Sequence, residues 1–194
     1  MDKQLFSQGE KKGKLFQSAK ECAYIAVFVA LVIAVQFALS FVPGVELVTV
    51  MFVCYSFVMG IRRSVVSATA FSILRQLIFG FYPTVLVLYL IYFNLLAVVF
   101  ALLGKKITNV IKFLPLLVAV ACLCTVLFTM TDNILTPLWY GYTQRATKIY
   151  FKASIPFMVS QVICTAISVS VLSIPLNKAF NFVKNNLQKS KPNN

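Results

Sequence analysis

Histidine is absent from this 194-residue chain, and acidic residues are scarce: five Asp and Glu stand against 18 Lys and Arg. General acid–base catalysis therefore has few candidate groups, because histidine is its commonest carrier. The sequence also lacks the phosphate-binding pattern G-x-x-x-x-G-K-[ST], the zinc-protease pattern H-E-x-x-H and the hydrolase pattern G-x-S-x-G. These absences exclude the matching ATP site and hydrolases. We expect no catalytic residues and a protein that binds rather than reacts.

The five cysteines provide neither a metal site nor a disulfide framework. They all lie within or beside apolar runs, at Cys22, Cys54, Cys122, Cys124 and Cys164. The spacing of Cys122 and Cys124 is not one that zinc sites use, and no second pair completes a ligand set. We expect small, core-packing side chains here, no metal and no other cofactor.

Long apolar runs take up most of the sequence. Hydrophobic residues make up 60% and charged residues 12% of the chain, and the mean hydropathy is +0.86. A soluble domain of this length could not cover so much apolar surface. Crossing a bilayer core of ~30 Å takes about 20 helical residues, and the alternating segments of a β-barrel are missing. The sequence therefore predicts an all-α integral membrane protein with six transmembrane helices.

Six apolar runs define these predicted helices, at about 19–41, 46–60, 64–81, 83–104, 111–131 and 153–176. Pro83 and Pro115 stand near the starts of two runs, where a missing N–H costs little. The stretch from Thr131 to Lys148 is expected to be a polar, aromatic connection. Residues 1–18 form a basic N-terminal segment, 19–177 the transmembrane domain and 178–194 a basic tail.

The positive charges predict the topology. With six spans, every Lys and Arg falls on one side except Arg75, Arg145, Lys148 and Lys152. The positive-inside rule makes that side cytoplasmic, with both termini on it. The same clusters attract anionic membrane lipid. No nucleic-acid partner is expected, because the charge flanks the spans.

Polar residues inside apolar spans are costly and mark functional sites. In the predicted topology they gather in the outer half of the membrane, as an outward-opening pocket between helices would require. The predicted substrate-binding residues are Glu46, Thr49, Arg75, Gln76, Asn94, Asp132, Asn133, Trp139, Tyr140 and Gln161.

Each of these side chains has a binding role and a structural alternative. Arg75 can bind a carboxylate or phosphate. Alternatively, it can pair with Asp132 or Glu46 as a structural ion pair, or snorkel to the membrane surface. Either acid can receive a cationic nitrogen from a ligand. The amides can bind a ligand or link helices by hydrogen bonds. The ring of Trp139, with Tyr140 beside it, can close the pocket or belong to an interfacial aromatic belt.

Alanines recur along one face of the first predicted helix, at Ala19, Ala23, Ala26, Ala30 and Ala34. Small side chains let a second helix approach closely, which is a common basis of helix association in lipid. The face is a predicted docking surface for a partner, centred on Ala23, Ala26 and Ala30.

The chain resembles the substrate-binding (S) components of energy-coupling factor (ECF) transporters in its size, its six predicted spans, its outer polar residues and its missing ATPase. The A-x-x-x-A pattern from Ala26 to Ala30 resembles the family's docking motif, with Ala19/Ala23 and Ala30/Ala34 as alternative registers. The stretch VPGVELVT at 42–49 resembles the loop that helps to cover the ligand.

This resemblance implies capture of a vitamin or related small nutrient from outside a bacterial cell, at the plasma membrane. It implies docking on a transmembrane coupling subunit with a pair of ATPases, and toppling of the capture subunit to release its cargo inside. No ligand signature singles out a substrate. The alternatives are a stand-alone secondary transporter or channel for a small polar solute, and a membrane enzyme or scaffold.

Overall fold

The computed structural model describes residues 19–42, 47–107 and 110–189, with side chains as far as Leu187. Within those ranges the chain forms helices and no strands, as the sequence predicts. The six helices are α1 (Ala19–Leu39), α2 (Val48–Met59), α3 (Ile61–Phe79), α4 (Pro83–Lys106), α5 (Leu114–Tyr140) and α6 (Gln144–Lys189).

Four of these helices, α1, α4, α5 and α6, are long and apolar enough to cross a membrane. They expose many large apolar side chains, as expected for a surface in contact with lipid. Helix α2 has 12 residues and is about 18 Å long, well short of a bilayer core. The structure therefore indicates a helical membrane protein.

Prolines and glycines set several helix ends. Pro83 opens α4 and Pro115 lies in the first turn of α5, in agreement with the sequence. Helix α5 ends at Gly141, whose left-handed backbone (φ 63°) turns its own N–H toward the carbonyl of Pro137. The N–H of Tyr142 bonds to the same carbonyl at 2.9 Å.

The predicted connection from Thr131 to Lys148 is therefore wrong. It is almost entirely helical, and only residues 141–143 separate α5 from α6. Its polar side chains favour a loop, but Asp132 and Asn133 bond across to Tyr150 and Ser154 of α6 and so fit a helical hairpin. The start of the predicted tail at residue 178 falls inside α6, which continues to Lys189.

Helix α2 forms the centre of the bundle, and all of its residues except Phe57 are buried. The ring of Phe52 packs against Phe28 of α1, Phe71 of α3 and Phe93 of α4, with centroids 5.4, 5.3 and 4.9 Å away. This aromatic core fills the middle of the molecule.

The bundle has two ends that differ in chemistry. At the basic end, where α1 begins and α6 finishes, Glu21 forms an ion pair with Arg63, and Phe28 contacts Phe180. At the far end lie the α3–α4 and α5–α6 turns. Most of the predicted site residues belong to the far end.

Candidate functional site

Helices α5 and α6 enclose a cavity near the far end of the bundle. Its volume is about 270 Å³, the space of about nine water molecules. The lining residues are Phe128, Thr129, Asp132, Tyr150, Ala153, Ser154, Phe157 and Gln161. Because Ala153 and Phe157 are exposed, the cavity opens at the surface along α6.

Asp132 is the acid of this cavity, and two hydroxyl groups orient it. Thr136 Oγ1 donates to Oδ1 at 2.8 Å, and Tyr150 Oη donates to Oδ2 at 2.7 Å. Among the described side chains, no Lys or Arg forms an ion pair with this carboxylate. Hydrogen bonds from hydroxyl groups to an ionised oxygen are among the stronger ones, so the carboxylate is held in a fixed position.

Asn133 supports the wall of the cavity. Its side chain is buried, and its Nδ2 donates to Ser154 Oγ at 2.8 Å. Ser154 Oγ in turn donates to the carbonyl of Phe151 at 2.8 Å. The Oδ1 of Asn133 is buried without a hydrogen-bond partner. Asn133 therefore belongs to the wall behind Ser154 and not to the lining of the cavity.

Phe128 separates the cavity from a second set of polar residues, namely Gln36, Arg75 and Gln76. Its ring packs against those of Tyr89 and Tyr92, with centroids 5.9 and 4.7 Å away. Tyr89 Oη accepts a hydrogen bond from Gln36 Nε2 at 3.1 Å. The Arg75 guanidinium lies 4.3 Å from the centroid of the Tyr89 ring, a cation–π distance.

This second group keeps several polar atoms without partners. Gln36 Oε1, Arg75 Nε and Gln76 Nε2 are all buried and make no hydrogen bond. Gln76 Oε1 accepts from the backbone N–H of Tyr82 at 3.3 Å. Arg75 also lies over the ring of Phe79 at 4.8 Å, so aromatic faces surround its charge.

The predicted site residues thus fall into two groups and several single positions. Asp132 and Gln161 line the cavity, with Asn133 in its wall. Tyr140 does not line the cavity but is linked to it through other rings. Its ring stacks on that of Tyr142, which packs edge-on against the lining residue Tyr150. Arg75 and Gln76 lie on the other side of Phe128. The possible ion pair between Arg75 and Asp132 is not formed, since each charge has other partners.

Three predicted residues stay outside both groups, and a fourth cannot be placed. Thr49 is buried in α2 with an unpartnered hydroxyl. Asn94 of α4 accepts from Thr69 of α3 at 3.3 Å, so it links two helices. Trp139 is exposed, and Glu46 lies outside the described residues.

Sequence reasoning missed several residues of the cavity: Phe128, Thr129, Tyr150, Ala153, Ser154 and Phe157. The available signal was Gly141, a helix-stopping residue that makes the flanking segments a hairpin. Asp132 lies nine residues before it and Tyr150 nine residues after it, so the two face each other across the hairpin.

The alanine face of α1 points away from the rest of the chain. Ala23, Ala26 and Ala30 are exposed, as are Ala19 and Ala34. The helix turns its larger residues inward instead, namely Ile25, Phe28, Val29, Val32 and Ile33. The predicted docking surface is therefore available to a partner.

No protein-family model, curated protein or solved structure matches the chain. The chemistry of the cavity and the exposed surface of α1 are therefore the evidence for function. One carboxylate, one amide and three aromatic rings line the cavity, and together they can bind a small molecule.

Proposed function

We propose that the chain is the membrane-embedded substrate-capture subunit of an ECF-type importer. It binds a vitamin or related small nutrient in the cavity between α5 and α6. The observation that carries this proposal is the Asp132 carboxylate, which two hydroxyls fix in the wall of a cavity in a largely apolar bundle. A charged group at such a place is costly to keep and points to a ligand.

The proposed orientation places the cavity toward the outside of the cell. Helix α3 and the short α2 complete a six-span arrangement with both termini in the cytoplasm of a bacterial cell. Because α2 is buried inside the bundle, it need not match the full thickness of the bilayer core. The concentration of Lys and Arg toward the basic end supports it, through the positive-inside rule. The ligand then reaches the far end from outside.

The aromatic core favours capture over conduction. The side chains of Phe52, Phe71, Phe93 and Phe100 are all fully buried between the cavity and the basic end. A stand-alone channel or secondary transporter needs a polar path or broken helices through this region. Release on the cytoplasmic side therefore requires a movement of the whole subunit, driven by ATPases on a coupling subunit.

The exposed alanines of α1 form the proposed contact with that coupling subunit. Methyl-sized side chains allow the backbone of a partner helix to approach closely in lipid. Because α1 uses its opposite face to pack within the chain, docking does not compete with folding.

Mass spectrometry of small molecules retained by the purified chain tests the cavity. Gln161→Phe places a ring in the cavity and should abolish retention. Val159→Phe, on an exposed part of the same helix, is the matched control and should retain the molecule as the wild type does. Equal retention by Gln161→Phe and the wild type would refute the proposed site.

Uptake measurements test the docking surface. Ala26→Phe/Ala30→Phe should reduce uptake at least tenfold in cells that supply the coupling subunit and ATPases, and leave retention unchanged. Ala119→Phe, at an exposed position of α5, is the control. Unchanged uptake in the double variant would count against docking. Uptake into liposomes by the purified chain alone would favour the stand-alone transporter.

A further inference from the structure

The hydrogen-bonding groups around the α5–α6 cavity are mostly acceptors. The hydroxyl hydrogens are already engaged: Tyr150 donates to Asp132, Ser154 to the Phe151 carbonyl, and Thr129 to the Thr125 carbonyl at 3.4 Å. Lone pairs remain on these oxygens. A ligand that enters the cavity therefore meets acceptors and must bring donors.

The Asp132 carboxylate strengthens this asymmetry. A carboxylate offers about four lone-pair sites, and the described contacts of Asp132 use two of them. Gln161 is the only described lining side chain with N–H donors of its own.

The charge of the cavity is equally one-sided. Its lining has one carboxylate and, among the described residues, no Lys or Arg. A half-buried carboxylate without a counter-ion is costly, and a cationic ligand would supply that counter-ion. An anionic ligand would face like-charge repulsion from Asp132. Arg75, which could offset it, lies beyond the ring of Phe128.

Aromatic rings complete the arrangement. Phe128, Tyr150 and Phe157 all line the cavity. The face of an aromatic ring attracts an ammonium group, and several rings together form the usual cage for such ligands. An acid beside three rings fits a positively charged nitrogen better than a neutral polar group.

We infer that the ligand of the α5–α6 cavity is a small organic cation, with a protonated amine or a related charged nitrogen that binds Asp132. The inference rests on the proposed function, because it names the chemical class of ligand for the same cavity. The volume of about 270 Å³ limits the part of the ligand held there to a single ring or a short chain with its charged nitrogen.

Three isosteric probes test the inference: benzylamine, benzyl alcohol and benzoate, each titrated into the purified chain in an uncharged detergent. Binding is read from the rise in apparent melting temperature. We expect benzylamine to bind at least about tenfold more tightly than benzyl alcohol, since charge-assisted hydrogen bonds are about twice as strong as neutral ones. Benzoate should not bind.

Variants show whether Asp132 causes this preference. Asp132→Asn should bring the benzylamine and benzyl alcohol affinities within about twofold of each other. Thr131→Val, which changes a neighbouring hydroxyl bonded only to the Leu127 carbonyl, should keep the preference. Phe157→Leu, at an exposed ring, provides an independent test and should weaken benzylamine binding several-fold.

The outcomes separate this inference from the proposed function. If benzyl alcohol or benzoate binds more tightly than benzylamine, the cationic ligand is overturned. If Gln161→Phe abolishes that binding, the cavity remains the site. Failure of benzylamine to bind would overturn the cationic ligand alone, because the retention measurement tests the cavity independently. Unchanged probe binding in Gln161→Phe would overturn both proposals.

Discussion

Helices α2 and α4 approach closely at Gly104, and adding a methyl group there should destabilise the bundle. A Cβ atom at Gly104 would lie 2.0 Å from the carbonyl oxygen of Phe57. Ordinary contact begins near 3.4 Å, so the helices must move apart by about 1.4 Å. The obstacle is backbone within a helix, so rotation of a side chain cannot relieve the clash.

The magnitude follows from two opposing effects of Gly104→Ala. Overpacking of a well-packed interface costs about 1–3 kcal/mol, and a gap of about 1 Å removes up to half of the dispersion energy of the atoms it separates. Because the obstacle is backbone, the overpacking cost at Gly104 lies toward the upper end of this range. Alanine regains about 1 kcal/mol in helix propensity. The net loss is about 1–2 kcal/mol, or roughly 2–8 °C in apparent melting temperature for a chain of this size.

Circular dichroism at 222 nm during heating, in one detergent at fixed protein concentration, measures this change. Ala119→Ser adds one heavy atom at an exposed helical position and serves as the control. Its free energy of unfolding should lie within about 0.5 kcal/mol of the wild-type value. If Gly104→Ala melts at or above the wild-type temperature, the close packing of α2 on α4 is wrong.

Two further predictions concern charged groups. Tyr150→Phe removes one of the two hydrogen-bond donors to Asp132. It should lower the free energy of unfolding by about 1 kcal/mol, because water compensates for part of the lost hydrogen bond at this half-buried site. An unchanged melting temperature would contradict that role. Glu21→Gln removes the carboxylate paired with Arg63. It should lower the melting temperature more than the double variant Glu21→Gln/Arg63→Gln does, because removing one partner of a partly buried pair costs more than removing both. A lower melting temperature for the double variant than for Glu21→Gln would refute this coupling.

The helices that the sequence predicts best are those whose signals are local. The run from Ala19 is long and uninterrupted, and α1 ends at Leu39, two residues before the predicted end. The first helical turn of α4 carries Pro83, and the start of α4 agrees with the prediction. The α5–α6 hairpin was harder to predict, because polar side chains such as Asp132 resemble a loop. Their partners lie across the hairpin, and only the turn at Gly141 reveals that relation.

The candidate site could be predicted in part for the same reason. Asp132 and Gln161 stand out as polar residues in apolar surroundings, and both line the cavity. The position of Arg75 depends on Tyr89 and Phe79, which are aromatic residues of the kind that any membrane helix contains. No local pattern shows that their rings surround a guanidinium rather than lipid.

Helix α6 is a single rod of 46 residues, about 69 Å long, or more than twice the thickness of a bilayer core. It carries Ser154 at the cavity and Val183 beside the first turns of α1. These residues are about 44 Å apart along the rod, so a tilt of about 5° at one end would displace the other by about 4 Å. Pro156 lies between cavity residues Ser154 and Phe157, and Pro175 lies further along the rod; each removes a helix hydrogen bond. The rod is thus weakened beside the cavity, where a slight bend displaces the opposite side of the molecule.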